Sequence, residues 1–444
     1  MAFVDVLRDF LNLTHAYAWH CANAAHAGRA PDEPGLVSSL IAQPMLKELE
    51  HLVKQHLHKQ HRQSTGHGVL LNGIFTHKTP TVLSAQVPTP PNGGVRSHPV
   101  SNSVEIGDLL FIRQHVDPSG KPVHGRAFLL QAKRNTTPDS GNVSTGNPRI
   151  QFDLYSAWPE FLGTTRLRSH AAGNTPWNFP ATHAPLGPEE YGSYLAVYDG
   201  KAFDPQVPGQ WTGAPKPTAA GLGAAWSSPC SWTHGTARGM TLPPASPVVP
   251  CPHDFAALLA DFVDGNAGVP FTPTYAQPAA ANPDHWSIFI NEMLAIAALP
   301  DYTYRSVRTN VRRAQSRNGR IAALATVLPI LGLIEARHLD WNWEGAPLGF
   351  PHWINYALDT EGRQLVNALL DAASRYGHER RPPEPPQDDG DLPPDEPGHP
   401  AVLSLITFGK SIPEGLSASA GYGAAKSAPA DSGGLSPHPP GGSA

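Results

Sequence analysis

Two apolar segments on either side of a turn decide the fold of this chain: Gly107-Asp108-Leu109-Leu110-Phe111-Ile112 and Phe128-Leu129-Leu130-Gln131-Ala132-Lys133. Both segments are rich in residues that favour strands, yet each carries polar side chains that a strand core accepts only for a reason. The chain between them contains Asp117-Pro118-Ser119-Gly120-Lys121-Pro122, a composition that is typical of a turn. The sequence therefore predicts a β-hairpin.

The register of this hairpin decides which polar side chains meet. If Ser119 and Gly120 are the two loop residues, Asp108 lies directly opposite Gln131, with Cβ atoms roughly 4.5–5.5 Å apart. Lys133 follows Gln131 in the alternating pattern of a strand and therefore projects from the same face. We expect a carboxylate, an amide and an ammonium group on one side of the sheet, unless a bulge or a longer loop changes the register.

These side chains are suited to divalent-metal chemistry. The carboxylate of Asp108 and the amide carbonyl of Gln131 are oxygen ligands of the kind that Mg²⁺ binds. A metal-bound water could then attack a phosphodiester, while Lys133 could position that water or pair with a phosphate oxygen. Farther along the chain, the spacing of Gln151 and Tyr155 places an amide and a phenol on one face of a predicted helix, directed towards the same site.

The order of an Asp, a hairpin, a Gln-x-Lys strand and a Gln-x-x-x-Tyr helix resembles the PD-(D/E)XK nuclease superfamily over about residues 104–160. The resemblance is to its RecB-type and lambda-exonuclease-type branch, and Gln131-Ala132-Lys133-Arg134 is similar to the glutamine-bearing variant of Mrr-type restriction nucleases. It implies an α/β fold with a restriction-endonuclease-like core, in which helices flank a central mixed β-sheet. It also implies metal-dependent cleavage of a nucleic-acid backbone.

The resemblance assigns roles to individual residues of this chain. Asp108 and Gln131 would bind Mg²⁺ or Mn²⁺, and Lys133 would complete the catalytic group. Gln151 and Tyr155 would support the site. The helix before the sheet often supplies a further acidic or histidine ligand in this superfamily, and four residues stay open for that role here, each also explained by a solvated helix face: Glu33, Glu48, Glu50 and His56.

Two features leave other interpretations open. Gln131 is a neutral amide where the common pattern has a carboxylate, which lowers the expected metal affinity and allows a catalytically inactive, nucleic-acid-binding relative. An ordinary hairpin with a solvated Asp and Lys is a further alternative. Glu105 is a second carboxylate candidate, but strand alternation places it on the opposite face from Asp108 unless a bulge intervenes.

Composition excludes several broad classes. The chain has 444 residues and a net charge of −5, so any nucleic-acid surface must be local. Its 48 prolines and 41 glycines indicate long loops, and its three cysteines favour a reducing cytoplasm over a disulfide scaffold. No signal peptide is apparent, and the longest apolar run, residues 321–334, is too short for a membrane span. A Gly-x-x-x-x-Gly-Lys motif is absent from the sequence, so an ATPase or helicase would be a separate partner.

Periodicity predicts the other elements. Helices are expected over 2–27, from about Gly35 to His61, and over 255–263, 285–299 and 360–376. Further strands are expected over 69–75, 194–198 and 402–408, with a loop over 79–103. The expected domain organisation is a nuclease-like core with N-terminal helices (1–204), an irregular Pro/Gly-rich insertion (205–252), a largely helical C-terminal half (253–379), an acidic disordered insertion (380–399), a returning strand (400–410) and a disordered tail (411–444).

Arginines provide the expected phosphate contacts. Arg134 and Arg149 lie at the two ends of the polar loop 135–149. An arginine-rich helix follows later, and its members are Arg305, Arg308, Arg312 and Arg313, continued by Arg317 and Arg320. Like charges at helical spacing repel each other, so an anionic partner is the natural compensation. The alternative is a basic solvated face that pairs with the acidic segment near residue 388.

The irregular insertion carries one possible metal site. Cys230, His234, Cys251 and His253 could bind a structural zinc ion, although their spacing is not that of a standard finger. The sequence favours buried free thiols in a mobile insertion over this zinc site.

The leading hypothesis from the sequence is therefore a Mg²⁺- or Mn²⁺-dependent nuclease acting on DNA, with RNA not excluded and without a membrane association. A role in defence against foreign DNA, with a defence-system partner, is an analogy from the Mrr-like pattern. An inactive nucleic-acid-binding or assembly subunit is the rival, and the sequence assigns no oligomeric state.

Overall fold

A mixed β-sheet with helices on both faces organises the protein, which makes it an α/β protein as the sequence predicts. The computed structural model describes residues 2–25, 28, 30–60, 68–74, 81–84, 86–89, 94–97, 104–117, 122–143, 146–163, 176–182, 190–203, 222–240, 248–273, 284–297 and 401–408. These residues belong to one unit, Met1–Ser411.

The helices of the described segments are α1 (Phe3–Ala25), α2 (Glu33–Leu40), α3 (Gln43–Gln60), α4 (Gly146–Ala157), α5 (Phe179–Thr182), α6 (Phe255–Asp264) and α7 (His285–Ala297). The strands are β1 (Gly68–Ile74), β2 (Thr81–Ser84), β3 (Gln86–Thr89), β4 (Gly94–Ser97), β5 (Val104–Glu105), β6 (Leu109–Val116), β7 (Pro122–Asn135), β8 (Asp139–Asn142), β9 (Phe161–Gly163), β10 (Gly192–Tyr198), β11 (Trp232–Gly235), β12 (Val248–Pro250), β13 (His253–Asp254), β14 (Val269–Phe271) and β15 (Ala401–Phe408).

The main sheet has the strand order β1-β15-β6-β7-β10-β11-β13. β6 and β7 form the predicted antiparallel hairpin, while β15 is parallel to β6 and β10 is parallel to β7. β7 is long enough for its first residues to pair with β14 and its last residues to pair with β10. The hairpin is therefore enclosed by parallel neighbours on both sides, and its backbone polar groups are satisfied within the sheet.

Strand alternation directs two sets of side chains into two core layers. Leu109 and Phe111 of β6 face a layer that contains residues of α1, α2, α3 and α6. Leu110 and Ile112 face the opposite layer, with residues of α4 and α7. Each fully buried side chain of this size contributes roughly 1.5–3 kcal/mol to folding. Burial on both faces explains why the hairpin strands read as nearly continuous apolar segments.

The single helix expected from Gly35 to His61 is two helices. α2 ends at Leu40, and α3 begins at Gln43. The hydroxyl groups of Ser38 and Ser39 donate to the carbonyl oxygens of Gly35 and Leu36, at 3.0 and 2.6 Å. Pro44 lacks the N–H that a continuous helix would need, although it is well suited to the first turn of a new one. The apolar periodicity continues through this break, so the break between α2 and α3 cannot be predicted from the periodicity.

Segments expected to be irregular contain short strands. β2, β3 and β4 lie in the expected loop 79–103, and β11 and β12 lie in the expected insertion 205–252. The expected polar loop 135–149 contains β8 and the first turn of α4, so Arg149 lies on a helix and not at the end of a loop. β11 joins the main sheet beside β10, and the indole N–H of its Trp232 donates to the carbonyl oxygen of Leu11 at 3.0 Å. β13 and β14 add strands to the start of the region expected to be helical. Strands of two to four residues carry too little alternation to be predicted from sequence.

Other elements match their predictions. β15 covers the expected returning strand, and it lies between β1 and β6. α6 begins at the N-cap Asp254, whose carboxylate accepts from the N–H of Ala256 at 2.8 Å, and ends at Gly265 with φ of 82°. The predictions for residues 298–400 and 409–444, including the arginine-rich helix and the acidic insertion, lie outside the described residues. Within the described segments, we find no helix with the length and apolarity that a bilayer crossing demands.

Candidate active site

The hairpin has the register that the sequence predicts around Asp108. Leu109 pairs with Leu130 and Leu110 pairs with Leu129, and the pairing shifts only at Val116, beside the turn. The backbone N–H of Asp108 donates to the carbonyl oxygen of Leu130 at 2.9 Å, which holds this residue at the end of the ladder. Asp108 therefore reaches Gln131 as expected.

The side chains of Asp108 and Gln131 are in direct contact. Carboxylate atom Oδ2 of Asp108 accepts from the side-chain amide of Gln131 and, at 2.8 Å, from the backbone N–H of Ala132. Gln131 is fully buried, and Asp108 is 8% exposed. Atom Oε1 of Gln131 has no hydrogen-bond partner among the residues that the structure describes. A buried polar atom without a partner is uncommon and marks a place where a ligand or a water would be favourable.

Lys133 joins this pair from the same strand. Its Nζ lies 3.5 Å from Oε1 of Glu33, the first residue of α2, and the two side chains are 20% and 30% exposed. Burial lowers the pKa of Lys133, but the carboxylates of Glu33, Asp108 and Glu105 together outweigh it, so the pKa lies above its ordinary value. Lys133 is therefore a protonated ammonium group at neutral pH, and its side chain is partly exposed to solvent.

The carboxyl group of Asp108 has an unusual acidity. Burial raises its pKa, the neighbouring Lys133 lowers it, and the carboxylate of Glu33 raises it again. The N–H groups of Ala132 and Gln131 favour the charged form, and the net result is a pKa of about 7. Among carboxyl groups, values near neutrality concentrate at functional sites, although structural networks also produce them.

Helix α4 supports the segment before Asp108 through backbone contacts. The Tyr155 hydroxyl group donates to the carbonyl oxygen of Ile106 at 2.9 Å, and the Gln151 amide donates to that of Glu105 at 3.4 Å. A Cβ on Gly107 would lie 2.9 Å from the Tyr155 hydroxyl oxygen, so this approach requires a glycine. Gln151 and Tyr155 thus position the chain that carries Asp108, whereas the sequence suggested that they point into the site.

Glu105 lies close enough to act on Lys133 and Tyr155 electrostatically. It ends β5, where it pairs with Thr81 of β2, and the chain between it and Leu109 leaves the regular strand. Strand alternation is therefore interrupted between Glu105 and Leu109. The expectation that Glu105 lies on the opposite face from Asp108 does not apply.

The two arginines near the hairpin are engaged within the chain. Arg134 Nε lies 3.0 Å from a carboxylate oxygen of Asp199, and its Nη1 donates to the carbonyl oxygen of Pro31 at 2.6 Å. Arg149 Nε lies 3.0 Å from a carboxylate oxygen of Asp153, on the same helix. A phosphate would have to compete with these carboxylates for both guanidinium groups.

Three of the four residues that the sequence left open as a metal ligand contact other side chains in the structure. Glu50 pairs with Lys54, and His56 lies 2.8 Å from a carboxylate oxygen of Asp264. Of the four, Glu33 is the residue with a contact to Lys133. The sequence signal for Glu33 is its position directly after the helix cap Asp32. Its contact with Lys133 also depends on how α2 packs against β7.

Tyr194 is a site residue that the sequence did not indicate. It is the Cα partner of Gln131 on the neighbouring parallel strand β10. It is fully buried, and its hydroxyl group has no hydrogen-bond partner within the described segments. Burial raises its pKa, and Cys251, Asp108 and Asp153 raise it further. Two unsatisfied polar atoms, one on each strand, thus belong to the same face of the sheet.

The described residues fit the expected buried thiols and give no support to the alternative zinc site. Cys230 and Cys251 are buried free thiols, and burial raises the pKa of Cys251 to about 12. His234 and His253 are neighbours on β11 and β13, with ring centroids 5.5 Å apart. Within the part of the chain that the structure describes, no group of three or more His, Cys, Asp or Glu side chains is placed to hold a metal ion.

No family model, curated protein or solved structure matches this chain. The class to which the chain belongs therefore has to be argued from the geometry of its own residues.

Proposed function

We propose that the protein is a divalent-metal-dependent nuclease of the PD-(D/E)XK type, which hydrolyses phosphodiester bonds of DNA. The observation that carries this proposal is the convergence of Asp108, Gln131 and Lys133 on one hairpin, in the predicted register. A mixed sheet between helices and the Gln151/Tyr155 helix beside the hairpin support a restriction-endonuclease-like core. A catalytic group with this composition is suited to phosphoryl chemistry, because it offers oxygen ligands and a fixed positive charge side by side.

The donor set fits a Mg²⁺ or Mn²⁺ ion. Such ions keep several waters and need only one or two protein carboxylates, so the Asp108 carboxylate and Oε1 of Gln131 suffice as protein ligands. The missing partner of Oε1 is the structural observation behind this assignment. Because the Gln131 nitrogen now faces Asp108, a cation bound to both side chains requires the amide to turn, and this turn breaks no hydrogen bond of Oε1. The bound ion would activate a water and neutralise charge on the phosphate.

Lys133 supplies a permanent positive charge rather than a base. Its pKa lies above the ordinary value for lysine, so it holds its proton throughout the neutral range. An ammonium group in this position can donate to the attacking water or to a phosphate oxygen, and it can stabilise the extra negative charge of the transition state. Its partial exposure leaves it accessible to a substrate.

The wider functional assignment rests on the sequence. The segment with Arg305, Arg308, Arg312 and Arg313, which the sequence predicts to be a helix, is proposed as the main phosphate-binding surface, because the chain as a whole is negatively charged. We also propose, from the sequence alone, a role in defence against foreign DNA, a separate ATPase partner and a location in the cytoplasm.

Cleavage of plasmid DNA tests the proposal. We expect the wild-type protein to nick or linearise plasmid with Mn²⁺ or Mg²⁺, and we expect Asp108→Asn and Lys133→Met to lower the rate by at least about a hundredfold. The matched control is Glu160→Gln, which changes an exposed carboxylate that bonds to Asn178. Equal backgrounds from wild type and both site variants would overturn the nuclease assignment. Single-stranded DNA and RNA as competitors then identify the substrate.

An inactive nucleic-acid-binding subunit is the second candidate. The burial of Asp108 and the neutral amide at position 131 favour it, because both weaken the attraction for a divalent cation. It predicts DNA binding that is independent of metal and unaffected by Asp108→Asn. A mobility-shift titration with and without Mn²⁺ separates it from the enzyme.

A further inference from the structure

Two consecutive residues of β7, Lys133 and Arg134, contact the beginning of α2. Lys133 pairs with Glu33 at 3.5 Å, and Arg134 donates to the carbonyl oxygen of Pro31 at 2.6 Å. The N-cap Asp32 lies between these two contacts, and its carboxylate accepts from the N–H of Gly35 at 2.9 Å. The N-cap Asp32 and the residue on either side of it therefore each have a contact that fixes the start of α2.

The remainder of α2 anchors this turn in the protein. Residues Gly35 to Leu40 are all buried, and Leu36, Val37 and Leu40 belong to the core layer that also contains Phe128 and Leu130 of β7. Glu33 therefore belongs to a helix that is anchored in the core, although its own side chain is 30% exposed. A carboxylate in the first turn of a helix also interacts favourably with the helix dipole.

The contact of Glu33 is with the lysine and not with a metal site. An oxygen of its carboxylate lies 3.5 Å from Nζ of Lys133. Within the described residues, Glu33, Asp108 and Glu105 are not arranged as a three-carboxylate ion site. Exposed ion pairs of this type contribute little to stability, because solvent screens them. We therefore look for the role of the Glu33–Lys133 pair in the position that it gives to the ammonium group.

We propose that Glu33 is a positioning residue for the hydrolysis assigned above, on which this inference rests. It holds the Lys133 ammonium group in a fixed position and is not a ligand of the cation. Lysine has a flexible stem with many rotamers, so a fixed carboxylate partner selects the one rotamer that stays beside Asp108. Arg134 and its bond to Pro31 keep the carboxylate within reach.

Kinetics with the full chain test this role. We expect Glu33→Gln to lower kcat by about ten- to a hundredfold while KM for plasmid stays within about twofold, because orientation is lost and binding is not. Glu33→Asp keeps the charge on a shorter side chain and is expected to recover part of the rate. In a Lys133→Met background, Glu33→Gln should add no further loss, since its effect passes through the lysine. Glu160→Gln is the control.

Binding of Mn²⁺, followed by electron paramagnetic resonance, separates positioning from ligation. We expect Glu33→Gln to bind Mn²⁺ within about twofold of wild type, while Asp108→Asn loses most of the affinity. A loss in Glu33→Gln as large as that in Asp108→Asn would overturn the inference and make Glu33 a ligand. An unchanged kcat in Glu33→Gln beside an active wild type would overturn the inference alone. A wild-type protein that cleaves nothing would overturn the proposed function, and this inference with it.

Discussion

At the scale of single residues, the Asp108 carboxyl group combines two opposing requirements. Burial favours its neutral form, whereas Lys133 and two N–H donors favour the charged form that a cation needs. The pKa of about 7 reflects this conflict, and the ordinary value for this group is 3.8. Because the folded protein holds the proton more tightly than the unfolded chain, stability decreases as the pH rises from about 4 to 7. The charged carboxylate above pH 7 thus costs the fold up to a few kcal/mol.

Asp108→Asn should therefore stabilise the metal-free protein in a pH-dependent manner. The amide keeps an oxygen for the Ala132 N–H and carries no charge to bury. We expect a higher melting temperature than wild type at pH 8 and little difference at pH 4.5, measured by thermal unfolding in the presence of a chelator. An equal shift at the two pH values would show that the acidity of Asp108 is ordinary. Added Mg²⁺ should stabilise wild type at pH 8 and leave Asp108→Asn unaffected.

The side chain at position 131 sets the strength of cation binding. Gln131→Glu would place a second carboxylate against Asp108, so the metal-free protein should lose stability through charge repulsion in a buried site. The same charge should raise Mn²⁺ affinity by at least about tenfold, measured by calorimetric titration. An affinity equal to that of wild type would mean that residue 131 does not bind the ion.

At the scale of elements, α4 fixes the segment from Glu105 to Asp108 by its contacts with backbone carbonyls. Tyr155→Phe leaves the buried Ile106 carbonyl without its donor, which should cost about 1–3 kcal/mol in a urea unfolding experiment. The matched control is Tyr194→Phe, because its buried hydroxyl group has no partner in the described part of the chain. We expect that variant to be as stable as wild type or slightly more stable. Equal losses in both variants would contradict the contact to Ile106.

The elements also show what could be predicted from the sequence. The register around Asp108 and Gln131 was predictable because turn residues and alternation act over short distances. The break of the helix at Ile41 was not, because the apolar periodicity continues through it. The contact between Glu33 and Lys133 depends on the packing of α2 against β7, which joins residues about a hundred positions apart. A short-range pattern carries no information about such a contact.

At the scale of the whole molecule, β15 lies in the sheet between β1 and β6, two strands that are far from it in sequence. All eight of its residues pair with β6, and seven pair with β1 on the other side. Leu403 and Leu405 are buried in the same layer as Leu109 and Phe111. β1 contacts the rest of the main sheet through this strand, so β15 joins the N-terminal part of the fold to the hairpin that carries Asp108.

Truncation tests whether the returning strand is part of the folding unit. A chain that ends at residue 399 lacks β15, which leaves the backbone donors and acceptors of β1 and β6 unpaired and exposes their apolar side chains. We expect this chain to aggregate or to unfold without a cooperative transition. A chain that ends at residue 411 keeps the compact unit Met1–Ser411 and should melt within a few degrees of the full chain. Cooperative melting of both truncated chains in calorimetry would mean that the hairpin is stable without its parallel neighbour. In that case the proposed site would not depend on the strand that residues 401–408 contribute.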